Sequence, residues 1–388
     1  MASPKLRFKE FAGDWDSVCL LEISSLVTKG TTPRQFVNGD INFLKIEAIT
    51  ENEFDLSKCQ TINSEIHHKE LKRSILKEGD ILFAIAGATI GKNAIIQKEL
   101  LPANTNQALA IVRLKEGYSN VFISKVLNSP LMEKYIDSNI STGAQPNLNL
   151  KQIGDFSFNL PEVKEQTKIA SFLSAVDEKI SQLTQKHKLL SQYKQGMMQK
   201  LFSQQIRFKA DDGSEFGAWE NSYIGNECKI TTGNKDTQNK VDDGLYPFFV
   251  RSQTVEKINS YSMDCEAILT SGDGVGVGKN YHYINGKFDF HQRVYCLYEF
   301  SEKLIGKYLY IYFSNHFYDR VKRLSAKNSV DSVRMDMISK MEIKLPCREE
   351  QTKIANFLSA IDQKIEVVAQ QIEQAKKWKK GLLQQMFV

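Results

Sequence analysis

The strongest constraint on this chain is that it repeats itself. LPEVKEQTKIASFLSAVDEKI from Leu160 and LPCREEQTKIANFLSAIDQKI from Leu345 agree at 15 of 21 positions without a gap, at an offset of 185 residues. The register continues, with Tyr193 matched by Trp378, Gly196 by Gly381, Gln199 by Gln384 and Phe202 by Phe387. Upstream the likeness thins without vanishing. DILFAIAGATIGKN from Asp80 echoes EAILTSGDGVGVGKN from Glu266, NQALAIV from Asn106 echoes HQRVYCL from His291, and RFKEFAGDW from Arg7 echoes RFKADDGSEFGAW from Arg207. The plan is therefore domain, helix, domain, helix: residues 1–159, 160–203, 204–344 and 345–388. The copies differ most where a binding surface varies and least where a scaffold must fit itself, so two related domains with different ligand preferences are expected.

The repeated segment reads as a coiled-coil helix. Ile169, Leu173, Val176, Ile180, Leu183, His187, Leu190, Lys194, Met197 and Leu201 follow steps of four and three, the heptad seam. Ile354, Leu358, Ile361, Ile365, Val368, Ile372, Ala375, Lys379, Leu382 and Met386 match them position for position. Each helix starts just after a proline, Pro161 or Pro346, and carries an early Glu165 or Glu350 suited to the positive end of the helix dipole. Lys194 and Lys379 on the seam read as side chains snorkelling at a frayed coil end, with register setting as the alternative. Gly196 and Gly381 imply either a kink, a close contact or simple tolerance.

Long helices with narrow apolar stripes need a partner. The second domain begins where the first helix ends and finishes where the second begins, so an antiparallel pair is expected. The expected architecture is α+β: two pseudo-twofold-related globular domains separated by a long antiparallel two-helix coiled coil, up to ~60 Å apart at ~1.5 Å per residue. That exceeds one turn of duplex DNA, about 34–36 Å, and suits a bipartite site with unread bases between its halves.

Within the domains, short alternating runs such as INFLKIEAI, QALAIVRL and RVYCLYEF read as strands of a curved sheet, beside a helix over 121–138 in the first domain. KYLYIYFSNHFYDRVKRL in the second reads as a helix whose aromatics pack a core. Loops mixing small polar residues with cations are the candidate DNA contacts, because Arg can grip guanine bidentately and Asn or Gln adenine. In the first domain these are Lys29, Thr31, Thr32, Arg34, Lys92, Asn104, Asn106, Gln107, Ser141, Thr142, Gln145, Asn147 and Asn149. In the second they are Thr231, Thr232, Asn234, Lys235, Arg251, Ser252, Gln253, Lys279, His291, Gln292, Arg293, Lys327, Asn328, Ser329 and Arg334.

Catalytic and metal motifs fail on inspection. SGDGVGVGKN has Asp273 and Asn280 where a Walker A loop needs Gly and Ser or Thr, and Lys279 where a Rossmann fingerprint needs its third Gly. The six cysteines, Cys19, Cys59, Cys228, Cys265, Cys296 and Cys347, form no CxxC pair and read as reduced, mostly buried thiols. His67 and His68 are adjacent, cannot share a helix face and read as a surface pair. A net charge of +5 over 388 residues tilts only weakly toward polyanions, and no apolar run reaches membrane-spanning length, so a cytoplasmic protein is expected.

At the two LP…EQTKIA…FLSA.D.KI segments, and over STGAQPNLNLKQIGDFSFNLP, the chain resembles the specificity subunits of type I restriction-modification systems, the resemblance covering nearly the whole chain. It implies a noncatalytic DNA-specificity subunit for phage defence, each domain reading one half of an asymmetric, interrupted double-stranded DNA site. It also implies two methyltransferase subunits docked on the scaffold and using S-adenosylmethionine, and restriction subunits using ATP and Mg, with no cofactor on this chain. LSAKNSVDSVRMDMISK stands in the second domain where the first has STGAQPNLNLKQIGD, so contacts do not transfer between them. The competing reading is a noncatalytic protein-interaction scaffold that touches DNA incidentally.

Overall fold

The computed structural model describes residues 3–50, 53–140, 146–324 and 332–387. The chain divides into two compact units, Met1–Gln185 with Ala369–Val388, and Lys186–Val368. Each unit holds one globular domain and a stretch of each long helix, Val163–Phe202 and Arg348–Met386. The class is α+β.

In the first unit, strand Asp16–Cys19 pairs antiparallel with Ser157–Leu160 and brings the start of the domain back to its end. An antiparallel sheet of four strands runs in the order Ser24–Lys29, Leu109–Leu114, Ile81–Ala84, Asn93–Ile95. All of Ile81–Ala84 is buried because alternate side chains feed two cores: Ile81 and Phe83 join the helices, Leu82 and Ala84 join Leu44, Ile96 and Ala103. The single helix expected over 121–138 is two, Asn120–Leu127 and Pro130–Asn139. Pro130 explains the break, since it has no N–H to donate and pushes Ser129 into extended backbone.

The second unit repeats this plan. Glu220–Tyr223 pairs with Glu342–Leu345, and Lys229–Thr232, Val294–Tyr298, Met263–Ser271 and Tyr281–Phe290 follow the same sheet order. Tyr246–Phe249 and Glu256–Ile258 extend it, the former joining Tyr281–Phe290 in parallel. The sheet curls strongly: a Cβ on Gly233, just past Thr232, would lie 2.0 Å from the carbonyl oxygen of Phe290. Helix Gly306–Leu324 buries Tyr308, Phe313 and Phe317 in the core, as expected, while Tyr318 is exposed.

The long helices are fused to these domains by shared cores. Leu173, Val176 and Ile180 pack with Phe122, Val126, Leu382, Leu383 and Met386 in the first unit. Leu201 and Phe202 pack with Tyr308, Ile354, Leu358 and Ile361 in the second. The start of one helix thus meets the end of the other, and the segments run antiparallel in each unit. The seam residues Ile169, Leu173, Val176, Ile180, Leu183, Leu201, Ile354, Leu358, Ile361, Val368, Leu382 and Met386 are buried, and His187, Leu190, Lys194, Met197, Ile365, Ile372, Ala375 and Lys379 half-buried. Lys194 and Lys379 each meet a carboxylate of the other helix: Lys194 Nζ lies 2.5 Å from Asp362 Oδ1, and Lys379 Nζ 2.5 Å from Asp177 Oδ1. Both helices run unbroken through Gly196 and Gly381, where an added Cβ would meet nothing within 4 Å.

The repeated Glu-Gln pair has a stronger role than dipole matching. Arg7 grips buried Glu165 bidentately, Nε to Oε1 at 2.8 Å and Nη2 to Oε2 at 2.7 Å, and Arg207 grips Glu350 likewise at 3.1 and 2.7 Å. Next in line, Gln166 and Gln351 donate to the carbonyls of Pro161 and Pro346, each at 2.8 Å, and accept from the N–H of Ser119 and Ile305. These buried groups fasten each helix start to its domain, and the same contacts recur in both repeats.

Candidate nucleic-acid interface

In the second unit the loops after Thr232, Phe249, Ser271 and Phe290 converge because their strands end at neighbouring points on the curled sheet, and the segment at Val333 joins them. Gly233 is small enough for the loop after Thr232 to lie on His291, and the N–H of Gln292 donates to Lys235 O at 2.8 Å. The N–H of Gly272 donates to Arg293 O at 2.8 Å, that of Val333 to Gly272 O at 2.7 Å, and that of His291 to Phe249 O at 2.9 Å. The surface so formed carries exposed Thr232, Asn234, Arg251, Gln253, Lys279, Gln292, Arg293 and Arg334, with Thr231, Lys235 and Ser252 half-buried.

Asp273 organises its centre: Oδ1 accepts from Arg251 Nη1 at 3.0 Å and Oδ2 from Arg293 Nη1 at 2.9 Å. The Gln292 amide donates to Asp236 at 3.1 Å, and Lys235 Nζ sits 3.9 Å from buried Asp289. His291 is buried, and its pKa is pushed down by that burial and by Arg251 and Arg293, against the pull of Asp236 and Asp273. Its Nδ1 accepts the backbone N–H of Arg293 at 2.9 Å, which leaves the ring proton on Nε2. His291 therefore shapes the loop from beneath. Lys279 lies over the Tyr318 ring, 5.6 Å from its centroid, at the end of a tight turn whose Gly274 and Gly278 take positive φ.

The first unit brings the equivalent loops together. A Cβ on Gly30 would lie 2.1 Å from Asn106 O, the N–H of Thr31 donates to Thr105 O at 2.9 Å, and the Thr32 hydroxyl bonds the Gln107 side chain. Lys29, Thr31, Thr32, Arg34, Lys92, Gln107, Asn147 and Asn149 are exposed and Asn106 half-buried. Asn149 is engaged in a capping box with Gln152 at the start of helix Leu150–Gly154. Asn104 is fully buried and bonded to Leu71 O, Ser74 Oγ and His67 Nδ1, a structural network below the surface. His67 is accordingly buried, and only His68 of the expected surface pair is exposed. Ser141, Thr142, Gln145, Lys327, Asn328 and Ser329 lie outside the described residues.

Sequence reasoning missed Asp273, Asp236 and the arginine grip on Glu165 and Glu350. An Asp between two cation-bearing loops was the available signal. The thiols are also less buried than expected: Cys228 and Cys296 are buried, Cys347 is exposed, and the other three lie between. Burial raises the Cys228 pKa to about 12, so that thiol is inert. Among the described residues no group of three or more His, Cys, Asp or Glu is placed to hold a metal.

The family model described as "Type I restriction modification DNA specificity domain" matches residues 12–192 and 217–377, once on each repeat. The type I restriction enzyme MjaVIII specificity subunit of Methanocaldococcus jannaschii is 25% identical over 413 residues, spanning 97% of this chain and 94% of that one. The EcoDI specificity subunit of Escherichia coli is 29% identical over 159 residues, 40% of this chain and 34% of that one. A crystal structure of the type I restriction-modification S subunit from M. genitalium shares the fold at a TM-score of 0.68 and 13% identity, covering 100% of this chain and 99% of that one. With the model matched over both repeats, the chain belongs to the type I restriction-modification DNA specificity family.

Proposed function

We propose that this chain is the DNA-specificity subunit of a type I restriction-modification complex. In this reading each domain reads one half of an interrupted double-stranded site through the loop surface described above. The paired helices set the length of unread DNA and dock two methyltransferase subunits, which bring S-adenosylmethionine; restriction subunits bring ATP and Mg. Site choice belongs to this chain and the chemistry to its partners, in the cytoplasm. No described helix is long and apolar enough to cross a membrane.

The observation that carries the proposal is one framework with two different loop chemistries. Gly30 and Gly233 make the same close approach, and Gln107 and Gln292 follow it in register, yet Ala86 and Ala108 stand where the second domain has Asp273 and Arg293. The deciding experiment is duplex binding by the chain assembled with its methyltransferase partner across a salt series. Affinity should fall steeply with salt, because phosphate contacts release counterions, while a preference for particular sequences persists. Binding without any sequence preference would support the interaction-scaffold reading instead.

A further inference from the structure

The second domain holds two arginines on one carboxylate, whereas the first domain has Ala86 and Ala108 at the positions of the carboxylate and of one of the arginines. Asp273 accepts from Arg251 Nη1 at 3.0 Å and from Arg293 Nη1 at 2.9 Å, and the two guanidiniums come from different loops. The arginine side chains are 44% and 62% exposed while that of Asp273 is 19% exposed, so the carboxylate sits behind a cationic front. Each arginine spends one terminal nitrogen on Asp273 and has no other side-chain partner among the described residues. Beside them lies a cleft of about 330 Å³ lined by Thr232, Gln292, Arg293, Tyr295 and Val333. The Asp273 loop is itself held by a backbone bridge to Ser332.

A flexible arginine pair would serve a phosphate as well as a base. A carboxylate between them changes that balance: it cancels one of the two charges, repels a phosphate, and fixes both planar forks in orientation. What a fixed, partly neutralised fork matches is an uncharged edge with two adjacent acceptors. In the DNA major groove that edge is guanine, through O6 and N7. We propose that Asp273 is a positioning residue that aims Arg251 and Arg293 at guanine, so that the half-site read by the second domain contains at least one G·C pair. This deepens the DNA-specificity reading and rests on it. The first domain, with Ala86 and Ala108 at the positions of Asp273 and Arg293, must read its half-site by other side chains.

The test uses the full chain assembled with its methyltransferase partner and duplexes with both half-sites randomised, scoring methylation of each sequence. Wild-type complex should demand guanine at one or two positions of one half-site. Arg293→Lys keeps the charge but loses the fork, and should reduce discrimination at a guanine position by roughly 5- to 150-fold. Asp273→Asn should relax the same position while the other half-site and the salt dependence stay unchanged. If both variants weaken all sequences equally and leave every base preference in place, the arginines bind phosphate and the proposal is overturned. A wild-type complex that is selective but shows no guanine in either half-site overturns it too. A wild-type complex with no preference anywhere instead brings down the DNA-specificity reading beneath it.

Discussion

Lys194 Nζ lies 2.5 Å from Asp362 Oδ1 in the second unit, and the positions 185 residues away reproduce the pair in the first, where Lys379 Nζ lies 2.5 Å from Asp177 Oδ1. Each cation on one helix seam thus meets a carboxylate on the other helix. Asp177 carries a further partner, Lys125 of the globular domain, whose side chain is only 11% exposed. The two repeats should therefore respond unequally. Asp362→Ala, which breaks a half-exposed pair, is expected to cost about 0.5–1 kcal/mol. Asp177→Ala strands two lysines, one of them largely buried, and is expected to cost about 2 kcal/mol, towards the range for buried pairs. Chemical denaturation of the two variants checks the order.

Glu350 is fully buried and accepts from Arg207 at 3.1 and 2.7 Å and from Trp219 Nε1 at 3.0 Å. Removing the carboxylate leaves a part-buried guanidinium without its partner. Glu350→Ala should lower stability by about 3–5 kcal/mol, and Glu165→Ala should behave alike through Arg7. Restoring the balance with Arg207→Met in the Glu350→Ala background should recover part of that loss, as urea midpoints of the single and double variants would report.

His282, His291 and His316 in the second unit all have pKa values lowered chiefly by burial. A histidine whose folded pKa lies below its unfolded value takes up protons more readily when unfolded. Its stabilising contribution is whole above the unfolded pKa, about 6.5, and is lost as pH falls through the folded value. Thermal midpoints between pH 7.5 and 5.5 should fall with pH, and His316→Gln should flatten that slope.

Gly30 and Gly233 hold the candidate loops against Asn106 O and Phe290 O, with no room for a Cβ at 2.1 and 2.0 Å. Gly30→Ala and Gly233→Ala must push the loops outward, at about 1–3 kcal/mol for overpacking. Each should also weaken selection at one half-site only. Differential scanning calorimetry together with methylation of randomised duplexes would register both effects.

Much of the scaffold was legible because a heptad seam and a near-identical repeat leave little freedom: Ile169, Leu173, Ile354 and Leu358 are buried as their spacing demands. Loop residues were legible only as types. Asn104 has the composition of a DNA contact but is buried under His67, because sequence spacing does not say which side of a strand end faces water. Asp273 was not legible for the opposite reason: its role depends on two loops, near 251 and 293, that only the fold brings together. The ion pairs of the seam lysines were not legible because their carboxylates lie on the other helix, far away in sequence.

In the proposed function this chain chooses the DNA site with two separate domains. The most direct test is to map methylated adenines in DNA exposed to the assembled methyltransferase, before and after residues 1–159 are exchanged for those of another family member. The expected result is an interrupted sequence in which one half changes, while the other half and the spacing stay the same. Changes in both halves, or in neither, would contradict it.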